Sequence, residues 1–282
     1  MSEFIRALQV VSVSTGRQIL YFGTPVVILI LMIQLTSGRI ERSGIVLLGK
    51  RFYLLLFGWP GTICHELAHA VFCVLFRHKI NEIKLFSLDP ETESLGYVNH
   101  SYDSKSIYQS VGNFFIGIAP VFCGSFVIYL AARFLLDIDF AAFHGFVDNV
   151  KLCFTTSFSF AAIGKLFLSV KVILLKIAGE VCYTSWKFWL FAYISFSVGS
   201  GITLSGSDMK GAAAGGGLLL ILIFLSNLTI FFITRHTHLL DGKIVPLLSA
   251  FSAVLIFVIA LNLIFGIILG IMCVLKRAVI KN

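Results

Sequence analysis

Residues 65–69 read His-Glu-Leu-Ala-His, inside the stretch Phe52–Phe76, where Glu66 is the only charged residue. On a helix, His65 and His69 stand one turn apart on a single face. Their imidazoles can then take two neighbouring corners of a tetrahedral zinc site. Glu66 lies about 100° round the helix from His65. It is near the metal without competing for the same corner, and can act as general base toward a water. Two histidines and a carboxylate are expensive among apolar side chains, and such groups inside an apolar segment mark function. Hydrogen-bonded structural histidines would leave the intervening glutamate unexplained.

Two histidines do not complete a zinc site, so a third ligand must come from elsewhere in the chain. The ionisable candidates at the edges of later apolar runs are Asp137, Asp139, Glu180 and Asp208, with His236 and His238 in a later polar stretch. Asp208 follows a Ser/Gly-rich interruption of an apolar run. Irregular backbone at membrane depth is tolerated where it lines a cavity, which favours Asp208. Glu180 is the next choice.

The elements that must carry these residues are set by composition. Of 282 residues, 58% are hydrophobic and 13% charged. Five runs lack Asp, Glu, Lys and Arg altogether: Gln18–Gly38, Ser106–Ala132, Phe188–Ser207, Gly211–Thr234 and Ile244–Leu275. With Phe52–Phe76 they make about six stretches of the ~20 residues that cross a bilayer as helix. The expectation is an all-α, multi-pass membrane protein, and the cell membrane is the expected location. The whole chain, 1–282, forms one membrane domain. The polar interval Arg77–Lys105 holds two β-rich runs, about Ile80–Leu88 and Leu95–Tyr102, around a turn-rich Asp89–Ser94. A small membrane-associated β-hairpin is expected there. Lys165, Lys171 and Lys176 punctuate Lys151–Lys187, a pattern that fits a helix in the interface.

Lys and Arg outnumber Asp and Glu by 22 to 14. In such a chain the excess reads as loop charge facing anionic lipid headgroups, and no nucleic-acid partner is expected. Basic residues occur in loops on both sides of the expected spans, so no orientation follows. The six cysteines form no close pairs and read as buried thiols.

These residues resemble the site-2 protease family (M50), the intramembrane zinc metalloproteases. His65-Glu66-Leu67-Ala68-His69 is similar to the family's HExxH on an early transmembrane helix. "LGYVNH" resembles its membrane-associated strands, and Gly112–Gly124, "GNFFIGIAPVFCG", its next core helix. The family usually takes its third ligand from an Asp followed by Gly; here Met209 follows Asp208 and glycine arrives at Gly211. The resemblance spans roughly 52–217, with 1–51 and 218–282 as additional spans. It implies Zn2+ held by His65, His69 and Asp208, Glu66 as general base, Asn113 as a substrate contact, and a membrane-protein substrate. The alternative is a non-proteolytic metal-binding membrane protein, a transporter or an inactive homologue. A zinc peptidase whose third ligand is a Glu followed four residues on by Asp does not fit, because Thr184 stands at that offset from Glu180.

Overall fold

A computed structural model describes residues 2–88, 94–137, 164–165, 167–168, 171, 175, 184–235 and 241–281. The expected turn at Asp89–Ser94 is therefore described only at Ser94. Most of the expected interfacial helix, with Lys176 and Glu180, lies outside the described residues. So do Asp139, His236 and His238.

Helix α1 (Ser2–Gln18) continues through a π-helical turn, Ile19–Gly23, into α2 (Thr24–Leu48). Gly49 at φ +82° ends α2 in a backbone region that side-chain-bearing residues avoid. A short α3 (Lys50–Tyr53) and a second π turn, Leu54–Gly58, lead into α4 (Trp59–Leu75), with Pro60 in its first turn. Strands β1 (Lys79–Lys84) and β2 (Tyr97–Ser101) follow, then α5 (Ile107–Leu135). After them come α6 (Trp186–Gly201), α7 (Gly206–Thr234) and α8 (Asp241–Lys281). Serines cap three starts: Ser106 for α5, Ser185 for α6 and Ser205 for α7 each accept a backbone N–H.

Among the described residues, four helices are long and apolar enough to cross a membrane: α2, α5, α7 and Phe251–Val279 of α8. The expected count of about six is not reached among these residues. The Phe188–Ser207 run becomes a 16-residue helix, about 24 Å long, because it ends at Gly201. The Phe52–Phe76 run is divided by its π turn, leaving α4 with 17 residues. In α7 only 6% of the most apolar window is buried. An apolar helix with so little protein around it suits hydrocarbon and not water.

The main core lies between α2, α5, α6 and α8, through Ile33, Val121, Ile128, Phe191, Val198 and Leu255. The expected hairpin is present, with β1 and β2 antiparallel, Ile80 opposite His100, and a bulge between Ile80 and Glu82. Beyond the strands Ser87 N–H donates to the Leu95 carbonyl at 2.6 Å. Leu88 and Leu95 then pack on the cluster of Ile40, Tyr53, Leu54 and Phe196. The hairpin is thus bound to the helices at its root and near its turn.

Candidate metal centre

Three close backbone approaches, in two helix crossings, assemble the site. Gly201 of α6 meets Gly61 of α4 backbone to backbone, so that a Cβ on Gly201 would stand 2.7 Å from the Gly61 Cα. One turn beyond Gly61, His65 is thereby set beside the end of α6. A Cβ on Gly117 of α5 would stand 2.5 Å from the Asp208 carbonyl oxygen, and a Cβ on Gly215 of α7 would run into the Phe114 backbone. Small residues permit such approaches where lipid leaves no hydrophobic force between helices. As a result α5 carries α7, and Asp208 in its first turn, to the histidine face of α4.

His65, His69 and Asp208 offer ligand atoms that lie within 4.8 Å of one another. The two Nε2 atoms are 3.1 Å apart. Asp208 Oδ1 is 3.3 Å from His69 Nε2, and Asp208 Oδ2 is 3.7 Å from His65 Nε2. The opposite ring nitrogens are already committed. His69 Nδ1 lies 2.9 Å from the Ile116 carbonyl and His65 Nδ1 3.3 Å from the Gly201 carbonyl. A carbonyl can only accept, so both Nδ1 atoms carry a proton, and in the neutral imidazole each Nε2 turns a lone pair inward. With both rings neutral, two lone pairs and a carboxylate converge on one point. A divalent cation at that point would meet all three acceptors at once. Two imidazole nitrogens and one carboxylate oxygen, each imidazole fixed through its far nitrogen, could hold a divalent metal such as zinc. The residues fit the metal.

Asp208 also closes the capping box of α7. Its backbone N–H donates to Ser205 Oγ at 3.1 Å, and its Oδ2 accepts the Ser205 N–H at 2.7 Å. The carboxylate is therefore fixed before any metal arrives. The side chains of His65 and Asp208 keep 15% and 12% of their exposure, so the centre has an open side.

Glu66 is buried beside His65, His69 and Asp208. Gly96, just before β2, lies against it: a Cβ there would come 2.8 Å from Glu66 Cγ. Asn113 is buried on α5, one turn before Ile116, on the side that Gly211 and Gly215 of α7 approach. Of the alternative third ligands, Asp137 follows the end of α5 and joins no metal-binding group among the described residues. Cys64, Cys73, Cys123 and Cys273 are free thiols.

Sequence reasoning did not find the carbonyls of Ile116 and Gly201 that orient the imidazoles, because backbone groups have no sequence signature. It also did not find Ser37 and Asn262. Ser37 Oγ donates to the Gly199 carbonyl, and Asn262 Nδ2 donates to the same carbonyl at 3.4 Å and to Ser37 Oγ at 3.1 Å. Together they satisfy a carbonyl exposed by the early end of α6. A polar residue within an apolar run was the available signal for both. Comparison with protein-family models, with curated proteins and with solved structures gives no match.

Proposed function

We propose that this chain is a multi-pass membrane zinc metalloprotease, which hydrolyses peptide bonds in or near the transmembrane segments of membrane-protein substrates. One observation carries the reading: two imidazoles held through Nδ1 with both Nε2 atoms inward, beside a fixed carboxylate, with a buried glutamate directly after the first histidine. The lipid bilayer is the solvent for α2, α5, α7 and α8, and the cell membrane is the inferred location.

His65, His69 and Asp208 hold the metal in this reading. Bound Zn2+ supplies Lewis acidity, polarising a carbonyl and lowering the pKa of a water. Glu66 takes a proton from that water as its oxygen attacks the scissile carbonyl carbon. The same carboxyl returns the proton to the departing amine nitrogen as the C–N bond breaks. The Ile116 and Gly201 carbonyls hold the imidazole planes throughout, so the ligands need no reorganisation during the reaction. Asn113 is the proposed contact for the unwound substrate backbone. Burial of Glu66 under the hairpin keeps bulk water from its carboxyl.

The test is cleavage of a single-span substrate by purified protein in detergent, with zinc measured per chain. Wild type should hold about one zinc and cleave. Glu66→Gln should keep the zinc and lose cleavage. Zinc retained with no cleavage by wild type across a panel of spans would favour the non-proteolytic alternative. Transport that survives Glu66→Gln would establish it.

A further inference from the structure

Between the end of α6 at Gly201 and the start of α7 at Gly206, four residues lie outside the helices. At membrane depth every freed backbone group there needs a partner. Thr203 N–H donates to the Gly201 carbonyl at 2.9 Å, and Ser205 N–H is taken by Asp208. Leu204 has no such local partner, and both of its backbone groups go to one side chain on another helix. Gln34 of α2 donates from Nε2 to the Leu204 carbonyl at 2.9 Å and accepts the Leu204 N–H on Oε1 at 2.8 Å. The primary amide copies the pairing of a neighbouring β-strand, two bonds in one plane.

This contact fixes more than position. A single hydrogen bond would leave the peptide free to swing about it, whereas a donor and an acceptor in one rigid amide fix its direction as well. Ser205 and its cap on Asp208 follow immediately, and they inherit that direction. Ser37, one turn along α2, holds the Gly199 carbonyl on the other side of the break. The two residues therefore serve different parts of one connection. Gln34 faces the metal-ligand side and Ser37 the α6 side.

We infer that Gln34 is a positioning residue for the metal centre, aligning the α6–α7 break so that the Asp208 carboxylate meets the two histidines. The inference rests on the metal-centre reading above. It gives α2, which carries no ligand, a defined part in metal binding.

The experiment compares wild type with Gln34→Met, Gln34→Asn and Ser37→Ala in detergent. Methionine keeps length and suits an apolar helix but offers neither bond, while asparagine keeps the amide and withdraws it by one methylene. Two quantities are read: hydrogen exchange of residues 202–208 in metal-free protein, and affinity and visible absorption with cobalt(II) as the probe metal. Both Gln34 variants should exchange at least ~10-fold faster over this segment. They should bind cobalt about 10–100-fold more weakly, the range for a lost supporting contact, with an altered spectrum. Ser37→Ala should stay within about threefold of wild type in both measurements, since it leaves Leu204 paired.

Wild-type exchange, or unchanged cobalt affinity and spectrum in both Gln34 variants, would overturn the inference. Equal losses in Ser37→Ala would overturn it too, because general loosening of α2 would then explain the effect. If wild type itself binds no cobalt, the metal centre falls and the inference with it. That outcome is told apart from a failure of Gln34 alone, in which wild type binds normally.

Discussion

Two pairs of imidazoles approach each other in this molecule, and their separations are almost equal. His65 and His69 meet at 3.1 Å through their Nε2 atoms; His78 and His100 meet at 3.0 Å through their Nδ1 atoms. Distance does not distinguish them, but the remaining nitrogens do. In the first pair both outer nitrogens donate to carbonyls, so in the neutral rings both inner nitrogens are acceptors, and the Asp208 carboxylate stands beside them. In the second, only His78 is tied to a carbonyl, through Nε2 to Gln109 at 2.8 Å. His78 Nδ1 is then an acceptor, and His100 is free to present Nδ1–H to it. One proton satisfies that contact without a cation. The hairpin pair is stacked further by Tyr102, whose ring centroid is 5.0 Å from that of His78. A pair of nearby histidines is thus a metal site only where the rest of its hydrogen-bonding leaves the lone pairs facing.

The largest expected effect breaks that comparison at its base. Asp208→Asn keeps a side-chain oxygen for the Ser205 N–H but removes the charge beside the imidazoles. Its zinc affinity should fall by more than the roughly 10–100-fold of a supporting-shell change. His100→Gln should leave zinc content at the wild-type level. Metal analysis after dialysis against a weak chelator reads both. A protein that keeps its zinc without the Asp208 charge, or loses it without His100, would reverse the roles assigned to the two pairs.

Glu66→Gln comes next. Only the α4 pair has a carboxylate placed to move protons, and losing a general base lowers turnover about 10²–10⁴-fold. Zinc content should not change, so a matched assay of metal and cleavage separates this variant from Asp208→Asn. Full cleavage by Glu66→Gln would remove the glutamate from the chemistry.

How much of this was legible in the sequence follows from what kind of group each part uses. His65, Glu66 and His69 lie within one helical turn, so a five-residue pattern contains their geometry. Asp208 could be favoured but not fixed, because its place depends on α5 and α7 crossing at Gly117 and Gly215, a fact of tertiary packing. The hairpin was visible because alternation and turn residues are local signals. Helix ends were not, since charge-free length says nothing of where a helix stops. The Phe188–Ser207 run ends its helix at Gly201, where Gly61 of α4 packs against it and His65, Ser37, Asn262 and Gln34 take up the backbone groups this frees. None of those pairings is local in sequence.

A smaller effect tests whether the α4 pair owes its carboxylate to helix packing. Gly117→Ala would place a methyl 2.5 Å from the Asp208 carbonyl oxygen and 2.9 Å from Ala212 Cβ, forcing α7 away from α5. Overpacking of this kind costs about 1–3 kcal/mol. The displacement falls on the first turn of α7, so zinc affinity should drop while the His78–His100 contact is untouched. Gly217→Ala is the matched control, because nothing lies within 4 Å of a Cβ there. Equal affinity in the two variants would mean that Asp208 reaches the histidines without the close crossing.

The hairpin pair should give the smallest effect, and a dependence on pH. Burial, and then the neighbouring His78 and His69, hold His100 below its ordinary value of 6.5. The folded hairpin therefore resists a proton that the unfolded strand accepts near pH 6.5. Where the unfolded state binds more protons, stability rises with pH. The contribution of the pair is present above about pH 6.5 and is lost as pH falls from there toward the lower folded value. Its size should be that of one buried hydrogen bond, about 1 kcal/mol. Hydrogen exchange of Lys79–Lys84 and Tyr97–Ser101, corrected for intrinsic rates, should show easier opening at pH 5.5 than at 7.5 in wild type. His100→Gln, which keeps a donor but does not titrate, should flatten that dependence. If it does not, another group titrates at the hairpin, and the one-proton account of the His78–His100 contact is wrong.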